Sequence, residues 1–246
     1  MQESIDQTRL GPNRTGLQTS PLQSKEMIEN ADTLSADQRE GEDAFAEVRR
    51  EYIMEADPLG SVPPPGTLKG MAKSGAQMLT GNRPQAFIDK LSERLAFERG
   101  GVRLYDAVLA KFSAHSNELQ GVTIADVAQI REEEAMHAFL VQECIEKLGA
   151  DPTAQTPSAD LTGVETMGLI QAATDPRTTL AQTLHAALSA ELVDNAGWET
   201  LIMMAEAMGQ QEMSERFREA LNHEAQHLAK VRRWYNELTL ETGKLM

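Results

Sequence analysis

The sequence predicts an all-α fold, in which four long helices form a bundle of two antiparallel hairpins with a long crossover, behind a largely disordered N-terminal extension. Apolar residues recur at helical spacing from residue 84 onward. Aromatic residues make up only 4% of the chain, whereas helix-forming Ala, Leu, Glu, Gln and Met are plentiful. Prolines and glycines interrupt the pattern at intervals that leave helices of roughly 26–32 residues, each about 40–48 Å long. These lengths are typical of a helical bundle.

The N-terminal extension, taken as residues 1–80, differs from the rest of the chain in composition. Residues 1–34 are polar and weakly periodic, which predicts disorder. Residues 35–56 carry an apolar face typical of an amphipathic helix. The VPPPG run at 62–66 predicts a stiff link. The locally basic segment 67–80 has a Met and Leu face, and it either docks on the bundle or acts as a tether.

The bundle is predicted to occupy residues 81–241. Thr123 is expected to cap the second helix together with Asp126. The connection 150–175 is long enough to run the length of the bundle and contains a short helix around 163–173, so the second and third helices are expected to be parallel. Proline or threonine signals open the long helices and glycines close two of them, which places the four helices at about 84–114, 124–149, 175–209 and 211–239.

Six ionisable residues lie within the apolar stripes of these helices instead of on solvated faces. Each is seven residues from apolar positions of its own stripe, so its side chain shares the buried face. Burying even one lone carboxylate is costly, and a shared cation is the economical explanation. The six residues are Glu98, Glu134, His137, Glu191, Glu224 and His227.

The order of these six residues repeats within the chain. In each half a single Glu is followed, 36 or 33 residues later, by Glu-x-x-His, which indicates an approximate internal two-fold. Glu and His three residues apart project from one helical face and can bind one metal together. Four carboxylates nearly neutralise two divalent cations, which bridging carboxylates hold about 3.5–4 Å apart. The alternative interpretation is that these acids are buried by coincidence or lie on solvated edges.

The complete E…ExxH…E…ExxH order, in register with four apolar stripes, resembles the ferritin-like di-iron carboxylate superfamily, which includes ferritins and rubrerythrins. The resemblance covers about residues 84–240. It implies that the six residues are metal ligands and that the cofactor is two iron ions, with manganese as the alternative. Tyr105 resembles the tyrosine often found near such sites, where it would hydrogen-bond a carboxylate or donate an electron. Asp194, three residues after Glu191, resembles a second acid found at this place in rubrerythrin, where the residue is normally Glu. By that resemblance, Asp194 would orient a histidine or act as a seventh ligand.

Other polar residues near the motifs have alternative roles. Glu133 also suits metal binding, but symmetry with the second motif favours Glu134, so Glu133 is expected to be solvated. His223 is expected at the surface or behind a ligand, and Asn195 is a candidate to orient one. The Gly100–Gly101 pair either admits a small oxidant or allows close packing.

Oxygen and nitrogen ligands of this kind suit iron or manganese. The expected function is oxidation of Fe(II), or reduction of O2 or H2O2, as in ferroxidases and rubrerythrin-like peroxidases. The alternatives are a non-catalytic iron-binding, storage or scaffold bundle with structural metals, and a di-manganese catalase-like protein or a substrate oxygenase. The single cysteine, Cys144, excludes the four-cysteine rubredoxin site of a self-contained rubrerythrin, so electrons would come from an external donor.

Composition also narrows the expected partners. The formal net charge of −15 argues against binding to a nucleic-acid backbone. No apolar run approaches the roughly 18–20 residues of a membrane span, and the N-terminus lacks the pattern of a signal peptide. We therefore expect a cytoplasmic protein. The N-terminal extension of about 80 residues argues against the 24-subunit shell of a plain ferritin, so we expect a smaller homo-oligomer.

Overall fold

The computed structural model describes residues 21–35, 39–64, 70, 84–115 and 117–244. The chain divides into two compact units, Met1–Leu59 and Gly60–Met246, and each is described by itself. All regular secondary structure in the described residues is α-helical. The predicted all-α class is therefore confirmed.

The first unit contains two helices, α1 (Pro21–Ser35) and α2 (Arg39–Glu55). The helix α1 corrects the expectation of disorder over residues 21–34, since a proline at the first helical position and the absence of later glycine or proline favour a helix even without burial. Residues 1–20 lie outside the described residues, as does segment 67–80 apart from Gly70. The helix α2 matches the expected amphipathic helix, yet apolar side chains such as those of Phe45 and Tyr52 are exposed.

The second unit contains five helices, and the predicted bounds of the four long ones hold to within a few residues. The crossover helix is longer than expected, because it begins at a proline rather than near residue 163. None of the helices in the described ranges combines the length and apolar character that a bilayer crossing requires. In chain order the helices are α3 (Pro84–Ala114), α4 (Ile124–Lys147), α5 (Pro157–Thr174), α6 (Leu180–Ala207) and α7 (Gln211–Lys244).

Local capping explains where two of these helices begin. The Thr123 side chain accepts from the N–H of Asp126 at 3.3 Å, and the Asp126 carboxylate accepts from the N–H of Thr123 at 2.7 Å, as predicted. The helix α6 begins later than the expected Asp175, because that carboxylate instead accepts a turn hydrogen bond from the N–H of Arg177 at 2.9 Å. Thr179 then caps α6 through the same reciprocal arrangement with Gln182.

Two apolar clusters show how the long helices run. The first cluster joins the beginnings of α3 and α7 to the ends of α4 and α6, and includes Leu91, Val141, Trp198 and Phe217. The second cluster joins the opposite ends of the same four helices. The helices α4 and α6 therefore run parallel, and each is antiparallel to its hairpin partner, as expected. The crossover helix α5 packs against α3 and α6, and the middle of the bundle lies between the two clusters.

Candidate metal centre

The six predicted ligands come from all four long helices and meet in the middle of the bundle. Each is fully buried or nearly so, with an exposed fraction of 3% or less. The register of the apolar stripes explains the arrangement, because each polar residue replaces one apolar position between the two core clusters. The structure therefore brings together every residue of the predicted set; the list is Glu98, Glu134, His137, Glu191, Glu224 and His227.

The ligand atoms fall into overlapping groups whose members lie within 4.8 Å of one another. One group contains the carboxylates of Glu134, Glu191 and Glu224 with an imidazole nitrogen of His227. A second group contains Glu98, His137 and Glu224, and a third contains Glu98, Glu134, Asp194 and Glu224. Glu224 belongs to all three groups, and Glu98 and Glu134 each belong to two. This overlap is the arrangement that two bridging carboxylates would give between neighbouring metal positions.

Both histidines direct the same ring nitrogen towards the carboxylates. Nδ1 of His137 lies 2.6 Å from Oε1 of Glu224 and 3.8 Å from Oε2 of Glu98. Nδ1 of His227 lies 3.2 Å from Oε2 of Glu224 and 3.4 Å from Oε1 of Glu134. Each imidazole is therefore in direct contact with Glu224, and the same ring nitrogen is the one that could bind a cation together with the carboxylates.

Several carboxylate oxygens in the cluster lack the hydrogen bond that a buried oxygen normally has. They include Oε2 of Glu98, Oε2 of Glu134 and Oε2 of Glu191. A buried acceptor without a donor costs free energy, whereas a metal ion would satisfy it. The donor set of carboxylates and imidazoles also fits iron and manganese. The residues present therefore fit the metals that the motif implies.

The pKa values of the buried residues in the protein without metal also indicate a site that a cation would stabilise. Burial first, and then repulsion from neighbouring acids, raises the pKa of Glu98 and of Glu191 well above the ordinary value. Burial also acts to raise the pKa of Glu224, but hydrogen bonds from both histidines outweigh it and lower this pKa to about 2. Burial opposes the charged form of His227, yet hydrogen bonds to Glu134 and Glu224 raise its pKa to about 11. Without a metal, the ionised forms of Glu98 and Glu191 are therefore disfavoured relative to those of exposed carboxylates.

The outer nitrogen of each histidine meets a residue that directly precedes the Glu of the opposite motif. Nε2 of His227 donates to Oε2 of Glu133 at 2.6 Å. Nε2 of His137 lies 3.3 Å from Nδ1 of His223. The expectation that Glu133 is solvated is therefore wrong, since its side chain is only 15% exposed and holds a predicted ligand in place. His223 lies behind a ligand, which was one of its two expected positions.

An arginine missing from the predicted set also reaches the centre. The buried Arg94 lies with Nε 3.0 Å from Oε1 of Glu98 and Nη1 2.9 Å from Oδ1 of Asp194. Nη1 also donates to the backbone carbonyl of Asp194 at 3.2 Å. A Cβ atom on Gly197 would overlap this guanidinium. Asp194 is thus the counter-ion of Arg94, although its carboxylate remains close enough to join one candidate ligand group.

The sequence did contain a signal for Arg94, since it lies three residues after Leu91 and four before Glu98, on the buried face of α3. Its partner Asp194 is on α6 and far away along the chain. Only the packing of α3 against α6 brings the two charges together.

Two further residues hold parts of the ligand set in place. The Tyr105 hydroxyl donates to the Glu191 carboxylate, a contact that fits the first of the two roles expected for it. The Asn195 side chain donates to the backbone carbonyls of Glu191 and Glu224, at 2.9 and 3.1 Å. It therefore links α6 to α7 and does not orient a ligand side chain.

The Gly100–Gly101 pair allows close packing on two sides of α3. A Cβ atom on Gly101 would overlap the carboxylate of Glu134, whereas one on Gly100 would lie 3.4 Å from side-chain atoms of Thr166 on α5. Of the two expected roles, close approach is the one that the structure supports. Cys144 is buried in the first core cluster, and burial raises its pKa to about 11, as expected for an unreactive thiol.

One comparison with known proteins identifies a relationship. The sequence model of a family described as the ferritin-like domain matches residues 88–237, which is more than half of the chain. The match includes all six predicted ligands. No curated protein and no solved structure matches the chain.

Proposed function

Because the chain belongs to the ferritin-like domain family and buries a two-fold repeated set of carboxylates and imidazoles, we propose that it is a di-iron protein that oxidises Fe(II) with O2 or H2O2. In the overall reaction each Fe(II) loses one electron to become Fe(III), and the oxidant is reduced to peroxide or water. The observation that carries this proposal is the overlap of the ligand groups, in which the group with His137 and the group with His227 share Glu224.

The ligands divide between two metal positions. Glu98 and His137 would hold one ion, Glu191 and His227 would hold the other, and Glu134 and Glu224 would lie between them. Iron bound there would supply one-electron chemistry with dioxygen or peroxide, which protein side chains do not provide. The chain's own contribution is to exclude bulk water and to fix the ligands.

The charge of the centre supports two divalent cations. Five acids, counting Asp194, and one guanidinium, that of Arg94, surround the centre. When all five acids are ionised they exceed the arginine by four negative charges, which is the charge that two divalent ions would neutralise. A centre of this charge and burial would be costly to keep ionised without metal.

A small oxidant fits the surroundings better than an organic substrate does. The described residues form a groove of about 350 Å³ between α3 and α5, lined by residues that include Arg99, Arg103 and Met167. None of the six predicted ligands lines this groove. The groove therefore does not bring an organic molecule to them.

The proposal is tested by anaerobic titration with Fe(II), followed by exposure to O2 or H2O2. We expect saturation near about two ions per chain, as a site with bridging carboxylates requires, and an absorbance change when oxidant is added. Glu134→Ala and Glu224→Ala are each expected to abolish the oxidation while helical circular dichroism persists, because the apolar stripes are intact. Glu132→Ala is the matched control, since Glu132 is exposed on the same helix.

Saturation at zero or one ion would contradict the dinuclear assignment. Oxidation at the wild-type rate in both ligand variants would show that the assigned ligands are wrong. Two ions bound without oxidation would favour a structural or storage role for the metals.

A further inference from the structure

The two halves of the centre have the same ligands but different neighbours, and we propose that the two metal positions are therefore inequivalent. The position at Glu191 and His227 binds a divalent cation tightly, whereas the position at Glu98 and His137 binds one more weakly and exchanges it more readily. Arg94 is the positioning residue that sets most of this difference. The inference rests on the proposed dinuclear site.

If the two halves were identical, residues related by the internal two-fold would have the same neighbours. The two-fold relates Glu98 to Glu191, so the residue four positions earlier is Arg94 in the first half and Ala187 in the second. The guanidinium Nε of Arg94 lies 3.0 Å from Oε1 of Glu98, whereas Ala187 has no polar side chain to offer Glu191. One ligand carboxylate thus shares its negative charge with a fixed cation, and its counterpart does not.

The structure also shows why this guanidinium should remain when a metal ion arrives. Arg94 is held by the carboxylate and backbone carbonyl of Asp194, and it lies over the Phe97 ring at 4.3 Å. The missing side chain of Gly197 provides the space that it occupies. A cation placed on Glu98 would be repelled by a neighbouring positive charge in a site of low dielectric constant.

The outer partners of the two histidines differ in the same direction. A carboxylate, Glu133, accepts from His227 at 2.6 Å, whereas His137 meets the imidazole of His223 at 3.3 Å. A carboxylate behind a histidine increases the basicity of the ligand nitrogen, which strengthens its bond to a metal. The contact with Glu133 therefore favours the position at His227.

Two contacts act against this difference. The Asp194 carboxylate offsets part of the positive charge of Arg94, although it is Arg94 that contacts Glu98 directly, at 3.0 Å. The Tyr105 hydroxyl donates to Glu191 and so withdraws some charge from the ligand of the tighter position. The hydroxyl is neutral, so unlike the guanidinium it places no net positive charge beside the metal position. Arg94 and Glu133 together outweigh Tyr105.

Anaerobic calorimetry with Mn(II) and with Co(II) tests the inference on the full chain without any turnover. We expect wild type to bind two ions in two steps whose dissociation constants differ about tenfold or more, within the range by which residues behind metal ligands change affinity. In Arg94→Gln/Asp194→Asn, which replaces the pair by two amides, the weak step should strengthen until the steps merge. Arg94→Lys should preserve the gap because it keeps the charge.

Two further variants separate this role from a structural one. Glu133→Gln should weaken the tight step and leave the weak step unchanged. Arg216→Gln/Glu143→Gln removes an arginine–glutamate pair from the surface and should leave both steps unchanged. If the Arg94→Gln/Asp194→Asn variant fails to fold by circular dichroism, Arg94→Lys and Glu133→Gln still decide the question.

The outcomes separate this inference from the proposed function. Two indistinguishable steps in wild type, or an unchanged ratio when the Arg94–Asp194 pair is replaced, would overturn the inference even if Fe(II) oxidation is observed. Two unequal steps without Fe(II) oxidation would support the inference and overturn the proposed function.

Discussion

Gly101 lies so close to Glu134 that adding a single methyl group should damage the metal centre while stabilising the helix that carries it. A Cβ atom at Gly101 would overlap Oε2 of Glu134 and lie 3.1 Å from its Cδ. In Gly101→Ala the Glu134 carboxylate must therefore turn away from the position in which it joins two ligand groups. We expect metal affinity to fall about 10- to 100-fold, the loss typical of a ligand that is no longer held in place.

The adjacent glycine provides a control that differs only in what the methyl group meets. A Cβ atom at Gly100 would lie 3.4 Å from Thr166, a contact that a small shift of α5 can accommodate. Both substitutions replace glycine in a helix interior, which stabilises the helix by about 1 kcal/mol. That gain would raise the melting temperature of a domain of this size by about 2–4 °C.

Calorimetry with Mn(II) and thermal unfolding of the metal-free protein measure the two effects separately. Gly100→Ala should bind metal like wild type and unfold at the same or a higher temperature. Gly101→Ala should remain at least as stable as wild type without metal but lose most of the stabilisation that metal adds. The reasoning is refuted if Gly101→Ala binds metal with wild-type affinity, or if Gly100→Ala weakens binding as much.

Two other predictions concern the boundary of the bundle and its response to pH. The second compact unit starts at Gly60, just before Val62 packs on the first core cluster. A chain that begins at Gly60 should therefore keep its helical circular dichroism and its metal content. Loss of both would show that the boundary is wrong. In the metal-free protein, burial raises the pKa of Glu98, Glu191 and Asp194 well above the ordinary value. The folded state therefore binds more protons than the unfolded state. The free energy of unfolding should fall as pH rises above about 4.5. His227 acts in the same direction between about 6.5 and its raised pKa of about 11, and a urea series with chelator at pH 5, 7 and 9 that shows rising stability would contradict the assignment.

The parts of the fold that the sequence predicted well depend on signals a few residues apart. Thr123 with Asp126, and the glycines Gly149 and Gly209 with φ of 84° and 69°, mark helix ends through contacts within one turn of backbone. Pro176 predicts a helix start near Asp175, whereas α6 begins at Leu180. The carboxylate of Asp175 instead closes a turn before that helix begins.

The ligand set was predictable for a related reason. A buried helix face is defined by residues three, four and seven apart, so a polar residue on that face is visible in the sequence before any partner is known. Arg94 satisfied the same criterion, but its role depends on Asp194, which lies 100 positions away along the chain. Glu133 was assigned to solvent because its position on α4 gives no indication that His227 of α7 lies opposite. Contacts between helices of different hairpins carry no local signal.

This distinction explains why the internal two-fold predicts the candidate ligands but not the different neighbours that they have in the two halves. A dinuclear metal site would constrain the ligand positions in both halves, since Glu and Glu-x-x-His must occur in each half for the carboxylates and imidazoles to meet. The positions around them have no such constraint, so Arg94 corresponds to Ala187 and Asp194 to Gly101. At Gly101 the space that a side chain would fill holds the Glu134 carboxylate, whereas Asp194 instead pairs with Arg94. The proposed difference in metal affinity between two halves with the same candidate ligands thus rests on side chains that lie one contact away from those ligands.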